Sequence, residues 1–224
     1  MTIPDIITID GPAGSGKSTL GELLARRLGY LYFDTGTMYR ALTWAAIQRG
    51  IDPRDGAALA ALARELQILV LPPTAADGRQ YTVLVDGQDV TWELRRPEVE
   101  RQVSLASSYP AVREVMRAQQ RAIGLRGKIV MVGRDIGNIV MPDAPLKIYL
   151  EASLEERARR RAAELRARGH EVRIEEVQAE VARRDALDQH VMAPAPDALV
   201  IHSDGLAPEK VADEVLAYSE QNMR

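Results

Sequence analysis

The sequence predicts an α/β fold in which helices cover a parallel sheet, interrupted once by a small β-rich insertion. Three observations lead there. Short β-branched runs alternate with segments of helical apolar spacing along most of the 224 residues. The stretch GPAGSGKST, Gly11 to Thr19, lies directly between the first such run and the first such helix. From about residue 66 to 95 the alternation gives way to strand–turn–strand chemistry.

The elements follow in order. DIITID is a first strand ending at Gly11. KSTLGELLARRL, Lys17 to Leu28, is apolar at helical spacing, and Gly29 can close it. YLYF, Tyr30 to Phe33, is a second strand, and Thr37 to Arg49 a second helix. LQILVLPP and YTVLVDGQDV read as antiparallel strands around TAADGR, with a further turn at Asp86–Gly87. This assigns an inserted subdomain to residues 66–95, continuing into helices to about 122, within a core domain of 1–65 and 96–224. Pro97 to Ala122 is one long helix or a pair broken at Pro110. GKIVMVG and LKIYLEA are buried strands, Leu154 to Asp188 is mostly helical and rich in arginine, ALVIHS is the last strand and PEKVADEVLAYSEQ the closing helix.

Composition narrows the function classes. A net charge of −3 lacks the basic excess of a general nucleic-acid or membrane-surface binder, so neither partner is expected. Cysteine is absent, which excludes disulfides and thiolate chemistry, and the three histidines (His170, His190, His202) are scattered, so a zinc site is not expected. Asp5 and Asp10 interrupt the first apolar run, unlike a signal peptide, and a cytoplasmic protein is expected.

Gly11-x-x-x-x-Gly16-Lys17-Ser18 fits the phosphate-binding loop with its strand before and helix after. Backbone N–H groups of Gly11, Pro12, Ala13, Gly14, Ser15, Gly16, Lys17, Ser18 and Thr19 (proline excepted, which has none) are placed to curl around an anion, and the new helix adds its positive end. Lys17 should reach the β- and γ-phosphates of ATP and the Ser18 hydroxyl should ligate Mg²⁺. Such loops serve switches, motors and kinases alike. The two asparagines, Asn138 and Asn222, do not precede a lysine, so the guanine-reading motif of a GTPase is missing. A second stretch, FDTGTMYRA, places Tyr39 and Arg40 just past the end of the second strand; a third, VGRDIGNIVMPDAP, places Arg134 and Asp135 at another strand end. Arginines on separate strand-end loops can clamp a second phosphate, and Asp135 can accept hydrogen bonds from an amine or hydroxyl. These residues leave open a kinase for a small metabolite or a nucleotide, such as UMP, and a module that senses ATP without turnover.

GPAGSGKST, DTGTMYRA, DGQDVT, RRPEV, GRDIGNIVMPDAPLKIYLEAS, EERARRR and RRDALD occur in the order and spacing of bacterial cytidylate kinases, which the chain resembles from about residue 5 to 220. The resemblance implies phosphoryl transfer from ATP to CMP or dCMP on the P-loop nucleoside-monophosphate-kinase fold. That fold has a five-stranded parallel sheet flanked by helices, a small β-containing NMP-binding insertion and a helical arginine-rich lid (here about 154–190), and a monomer is expected. By position, Arg40 and Arg134 resemble the family's ligands of the CMP phosphate, with Tyr39 adjacent; Ser104, Arg113 and Asp135 resemble the cytosine readers; Arg184 and Asp188 resemble the sugar-binding pair; Asp34 matches an acidic position near the transferred group. The family commonly has an arginine three residues beyond the second aspartate of RD..D, where this chain has Val191, or His190 if one residue is missing before Pro194; His202 stands where an acidic residue is common.

The segment EERARRRAAELRARGHEVR admits ion pairs at helical spacing, Glu155–Arg159, Glu156–Arg160 and Glu164–Arg168. Phosphoryl transfer also needs positive charge on the migrating group, and Arg157 and Arg161 are the candidates for it in a segment closing over ATP. Trp44 and Trp92 are read as packing residues.

Overall fold

The structure, a computed structural model, describes residues 3–167, 169–188 and 192–222. In chain order the elements are β1 (Ile6–Asp10), α1 (Lys17–Leu28), β2 (Leu31–Asp34), α2 (Gly36–Gln48), α3 (Gly56–Glu65), β3 (Ile68–Leu71), β4 (Thr82–Val85) and β5 (Gln88–Asp89). They continue with α4 (Pro97–Ala106), α5 (Pro110–Gly124), β6 (Ile129–Val132), β7 (Leu146–Glu151), α6 (Leu154–Ala167), α7 (Ile174–Asp188), β8 (Leu199–His202) and α8 (Pro208–Asn222). The main sheet has five strands in the order β2-β6-β1-β7-β8. The chain divides into two compact units, Met1–Tyr30 with Gly127–Arg224, and Leu31–Arg126.

In the first unit, β1 pairs in parallel with β6 and β7, and β7 with β8. A parallel sheet covered on both faces needs near-continuous apolar strands. IITID, IVMV and LKIYLE supply them: Ile7, Ile9 and Val130 are fully buried, each contributing about 1.5–3 kcal/mol of apolar burial. α1 packs on β1, β6 and α8. Because these strands are parallel, their carboxyl ends deliver Gly11, Gly133 and Ala152 to one edge, where α/β proteins bind ligands. The helices α6 and α7 share a small core of their own, Ala162, Val177 and Val181, with Leu154, Leu165 and Val172 against it.

The unit Leu31–Arg126 packs α2 against α3 and α4, and α3 against α5. The antiparallel meander β3-β4-β5 sits where the turn chemistry placed it. Asp86 and Gly87, both at positive φ, close the β4–β5 hairpin as the two-residue turn that an Asp-Gly pair favours. The insertion expected at 66–95 covers these strands, whereas the compact unit that contains them is larger. Pro110 does divide α4 from α5.

Three features differ from the sequence expectation. The run GAALAALARE forms α3, which the strand–helix alternation leaves unassigned; its start is fixed by Asp55, whose carboxylate accepts the Ala58 N–H at 2.9 Å. A π-helix, Ile136–Val140, follows Arg134 and Asp135. Trp92 is not a packing residue: it is 52% exposed, and its indole N–H donates to Asp77 at 2.9 Å.

Candidate active site

The phosphate loop leaves β1 at Gly11, where φ is +145° and an added Cβ would lie 2.2 Å from the Leu150 carbonyl oxygen. Only glycine fits that approach. α1 then begins at Lys17, so its N-terminal turn, with no side-chain cap, opens on the loop. Lys17 Nζ donates to the Pro12 carbonyl at 2.7 Å, which folds the ammonium over the loop it belongs to. Ser18 is exposed on the first turn of α1.

The loop is pinned from behind. Arg160 donates to the Ser15 carbonyl at 3.0 Å and to the Ser203 hydroxyl at 3.1 Å, while the Ser203 hydroxyl also lies 3.1 Å from Ser15 O. Arg157, buried at 7% exposure, donates to the Ala13 carbonyl at 3.1 Å and pairs with Asp185 at 2.7 Å. It presses on Gly14 so closely that a Cβ there would be 3.1 Å from the Arg157 Cβ. Arg161, the other arginine singled out, pairs instead with Glu164 along α6 at 2.8 Å. The expected Glu155–Arg159 pair is replaced: Arg159 and Arg160 both converge on Glu156, at 2.7 Å each. The hydrogen bond from Arg159, and then that from Arg160, bring the Glu156 carboxyl down to about 2. Beside the loop opens a cavity of about 510 Å³ bordered by Pro12, Tyr149, Glu151, Arg157, Asp185 and His202. Asp185 Oδ1 in this region is buried without a hydrogen-bond partner. His202, whose Nδ1 is 3.1 Å from Glu151, forms part of the wall.

Next to β1, the end of β6 carries Arg134 and Asp135. Arg134 reaches the Met192 sulfur at 3.8 Å, and Asn138 donates to the Ala193 carbonyl at 2.6 Å, so the segment after α7 returns over this turn. Asp135 is 7% exposed. Its neighbour across the turn is Asp10, at the end of β1, which the sequence reading took only as an interruption of an apolar run. Asp10 is 6% exposed, and its two oxygens accept the N–H groups of Ile136 at 2.9 Å and Gly137 at 2.7 Å.

Burial pushes the Asp10 pKa up from 3.8 to about 6, against the two N–H groups and Lys17, with Asp135 adding to the rise. A carboxyl whose pKa is higher folded than unfolded holds its proton more tightly in the native state. Its stabilising contribution is therefore complete below the unfolded value of 3.8 and lost as pH rises through about 6. Two pKa units correspond to about 3 kcal/mol. The Tm of wild type minus that of Asp10→Asn is expected to shrink between about pH 4 and about pH 7, measured by thermal unfolding of both proteins; a difference that does not change with pH would show that Asp10 does not titrate in this window.

The unit Leu31–Arg126 holds the other predicted residues. Asp34 ends β2 and accepts the Gly36 N–H at 2.9 Å, setting the start of α2. Arg40, one turn on, donates through Nε to Glu100 at 2.8 Å and lies 4.0 Å from Asp34. Burial disfavours its charge, but Asp34 and Glu100 together outweigh that and hold its pKa above the ordinary value. The Arg113 guanidinium stands 5.9 Å above the Tyr39 ring, so these two predicted residues are brought together. Ser104 is exposed one turn beyond Glu100 on α4. Glu100 itself was missed, because nothing local marks which carboxylate of an exposed helix meets an arginine 60 residues away. Arg184 and Asp188 lie on α7, but their side chains fall outside the described residues, as do His190, Val191 and Arg168.

Among the described residues no cluster of three or more histidine, cysteine or acidic side chains could cage a metal. The Ser18 hydroxyl is exposed on the first turn of α1, open to an ion whose other positions are filled by water and substrate phosphates. No described helix is long and apolar enough to cross a membrane.

The model of the cytidylate kinase family matches residues 7–221. A cytidylate kinase of Roseiflexus castenholzii is 65% identical over 97% of this chain and 94% of its own length. A cytidylate kinase of Chloroflexus aggregans is 61% identical over 99% and 97%. Among solved structures, a gluconokinase from Sinorhizobium meliloti 1021 superposes with a TM-score of 0.53 at 15% identity, covering 99% of this chain and 94% of its own, which is a likeness of fold.

Proposed function

The chain belongs to the cytidylate kinase family, and on that premise we propose that it transfers the γ-phosphoryl group of ATP to CMP or dCMP, giving ADP and CDP or dCDP. The observation that supports this most directly is the adjacency of β1 and β6: the phosphate loop and the Arg134–Asp135 turn, an anion holder followed by a buried acceptor, leave neighbouring strand ends. A sensor of ATP has no use for the second feature.

The donor phosphates lie in the loop from Gly11 to Thr19, with Lys17 on the β- and γ-oxygens. Ser18 would hold Mg²⁺, which supplies charge neutralisation between donor phosphates when bound. The acceptor phosphate is held by Arg40 and Arg134; Tyr39 supports Arg113, and Ser104, Arg113 and Asp135 read the cytosine edge. Arg184 and Asp188 take the sugar hydroxyls, within a lid spanning 154–190. The β-containing insertion at 66–95 is the NMP-binding subdomain. The acceptor oxygen is already anionic, so no general base is needed and the protein's task is positioning and electrostatic stabilisation. Asp34 keeps the guanidinium of Arg40 oriented, and Arg157 and Arg161 bring positive charge to the transferred group when the lid closes. For Arg157 this requires exchange of its present bonds to Asp185 and Ala13 for bonds to phosphate oxygens. The enzyme is read as a cytoplasmic monomer.

The test is ADP release with CMP, dCMP, UMP and AMP offered in turn. The proposal requires strong stimulation by CMP or dCMP; release independent of any acceptor identifies an ATPase or sensor, and a preference for UMP reassigns the base site. Within that panel, Asp135→Asn replaces an acceptor oxygen by an amide donor opposite the cytosine amine. It is expected to cost CMP about 1–3 kcal/mol more than UMP in kcat/KM. Equal losses would mean that Asp135 does not read the base.

A further inference from the structure

Asp10 is a charged side chain in the interior of the P-loop unit that no step above uses. It lies 126 residues from Ile136 in sequence, yet its two oxygens take the first two N–H groups of the π-helix, one each. The opening N–H groups of a helix have no acceptor within it and must find one outside. Here the acceptor comes from β1, one residue before the phosphate loop. The turn is also pressed against that strand: a Cβ on Gly137 would lie 3.0 Å from Thr8 Oγ1 and 3.3 Å from both Asp10 Oδ2 and Lys147 Cδ. Two independent features, a bidentate carboxylate and a side-chain-free contact, therefore fix one short backbone segment. The residues immediately before that segment are Arg134 and Asp135.

We propose that Asp10 is a positioning residue for acceptor recognition: through the amides of Ile136 and Gly137 it sets the turn that aims Asp135 at the base and Arg134 at the phosphate. This rests on the reading of Asp135 as the cytosine reader. Asp10 is not a general base, because both oxygens are committed to backbone N–H groups and the acceptor needs no deprotonation. Its charge is held in the field of Lys17 and Asp135, with the Tyr149 hydroxyl also coupled to it and the Lys147 stem against the same face of Gly137.

Asp10→Asn keeps the size of the side chain but must aim its NH₂ at one of two N–H donors, so one bond becomes a repulsion and the turn shifts. Displacements of this order cost activity out of proportion to their size. The expected result is a fall of about tenfold in the ratio of kcat/KM for CMP to that for UMP, the worth of one well-placed hydrogen bond, with KM for ATP changed by less than about twofold. A residue that merely supports the fold would lower both acceptors alike and leave the ratio where it was. Gly137→Ala keeps the Asp10 carboxylate but sets a methyl against it and against Thr8, disturbing the same turn by crowding, so it is expected to lower the ratio too; if Asp10→Asn does not fold, it decides alone. Asp135→Asn is run alongside. If it shifts the ratio while Asp10→Asn and Gly137→Ala do not, the positioning role is overturned. If it leaves the ratio unchanged, the base-reading role falls first and the positioning role with it. A rise in KM for ATP without change at CMP would assign Asp10 to the phosphate loop instead, and would also overturn the proposal.

Discussion

Lys17→Ala is expected to lower kcat by about 10²–10³-fold at saturating ATP and CMP, the loss typical of removing one preorganised charge from a developing anion. The ammonium now donates to the Pro12 carbonyl, a contact within its own loop. Turning from that oxygen to a phosphate needs only side-chain rotation, so little binding energy is diverted and most of its effect should fall on the transition state. The expectation is thus a kcat effect larger than the effect on KM for ATP. Lys17 is on the first turn of an exposed helix start, and the fold should survive its loss; circular dichroism and thermal unfolding check that. A folded variant with near wild-type turnover would remove the phosphate loop from the chemistry altogether.

The second large effect is expected at Arg40. Its guanidinium is already bonded by Glu100 at 2.8 Å and faced by Asp34 at 4.0 Å. On the proposed reading its removal deletes a phosphate ligand, and it leaves the Asp34 and Glu100 carboxylates without their shared cation. Arg40→Ala is expected to cost about 2–5 kcal/mol in kcat/KM for CMP, the range for deleting one partner of a desolvated charge pair. KM for ATP should move little. Arg40→Lys restores the charge but not the planar fork that meets two phosphate oxygens at once, so it should recover only part of the loss. Steady-state kinetics with each substrate varied in turn separates the cases. If ATP affinity collapses while CMP is untouched, Arg40 belongs to the donor side and the assignment is inverted.

What could be read in the sequence was what is local in it. The phosphate loop is specified by nine consecutive residues and its flanks, and the hairpin at Asp86–Gly87 by a dipeptide whose turn preference is a backbone property. The strands β1, β6 and β7 announce themselves because burial on both faces forces continuous apolar runs. The arginines of α6 show the limit: helical spacing says which of them share a face, not what lies opposite. It could pair Glu156 with Arg160, but it could not tell that Arg160 reaches Ser15 and that Arg157 reaches Ala13, 145 and 144 residues away. The anchoring of the π-helix after Asp135 was invisible for the same reason, since the acceptor of its first two N–H groups, Asp10, comes from a different strand. Glu100 and Asp185 are ordinary helix residues, and Ser203 an ordinary residue just past β8, until the tertiary fold gives them partners.

The pinning of the phosphate loop by Ser203 has a consequence for the order in which the molecule is made. The bond from the Ser203 hydroxyl to the Ser15 carbonyl joins residues 188 positions apart, and the bonds from Arg160 close the same circuit. Contacts of such separation form only after the loop-closure entropy of the intervening chain has been met, which makes them late events in folding. During synthesis from the N-terminus, the nine residues of the loop emerge almost first, whereas the side chains that hold the Ala13 and Ser15 carbonyls arrive only with α6 and with Ser203 after β8. A nascent chain that already shows the whole motif therefore still lacks the Ser203 hydroxyl that meets the Ser15 carbonyl in the finished fold.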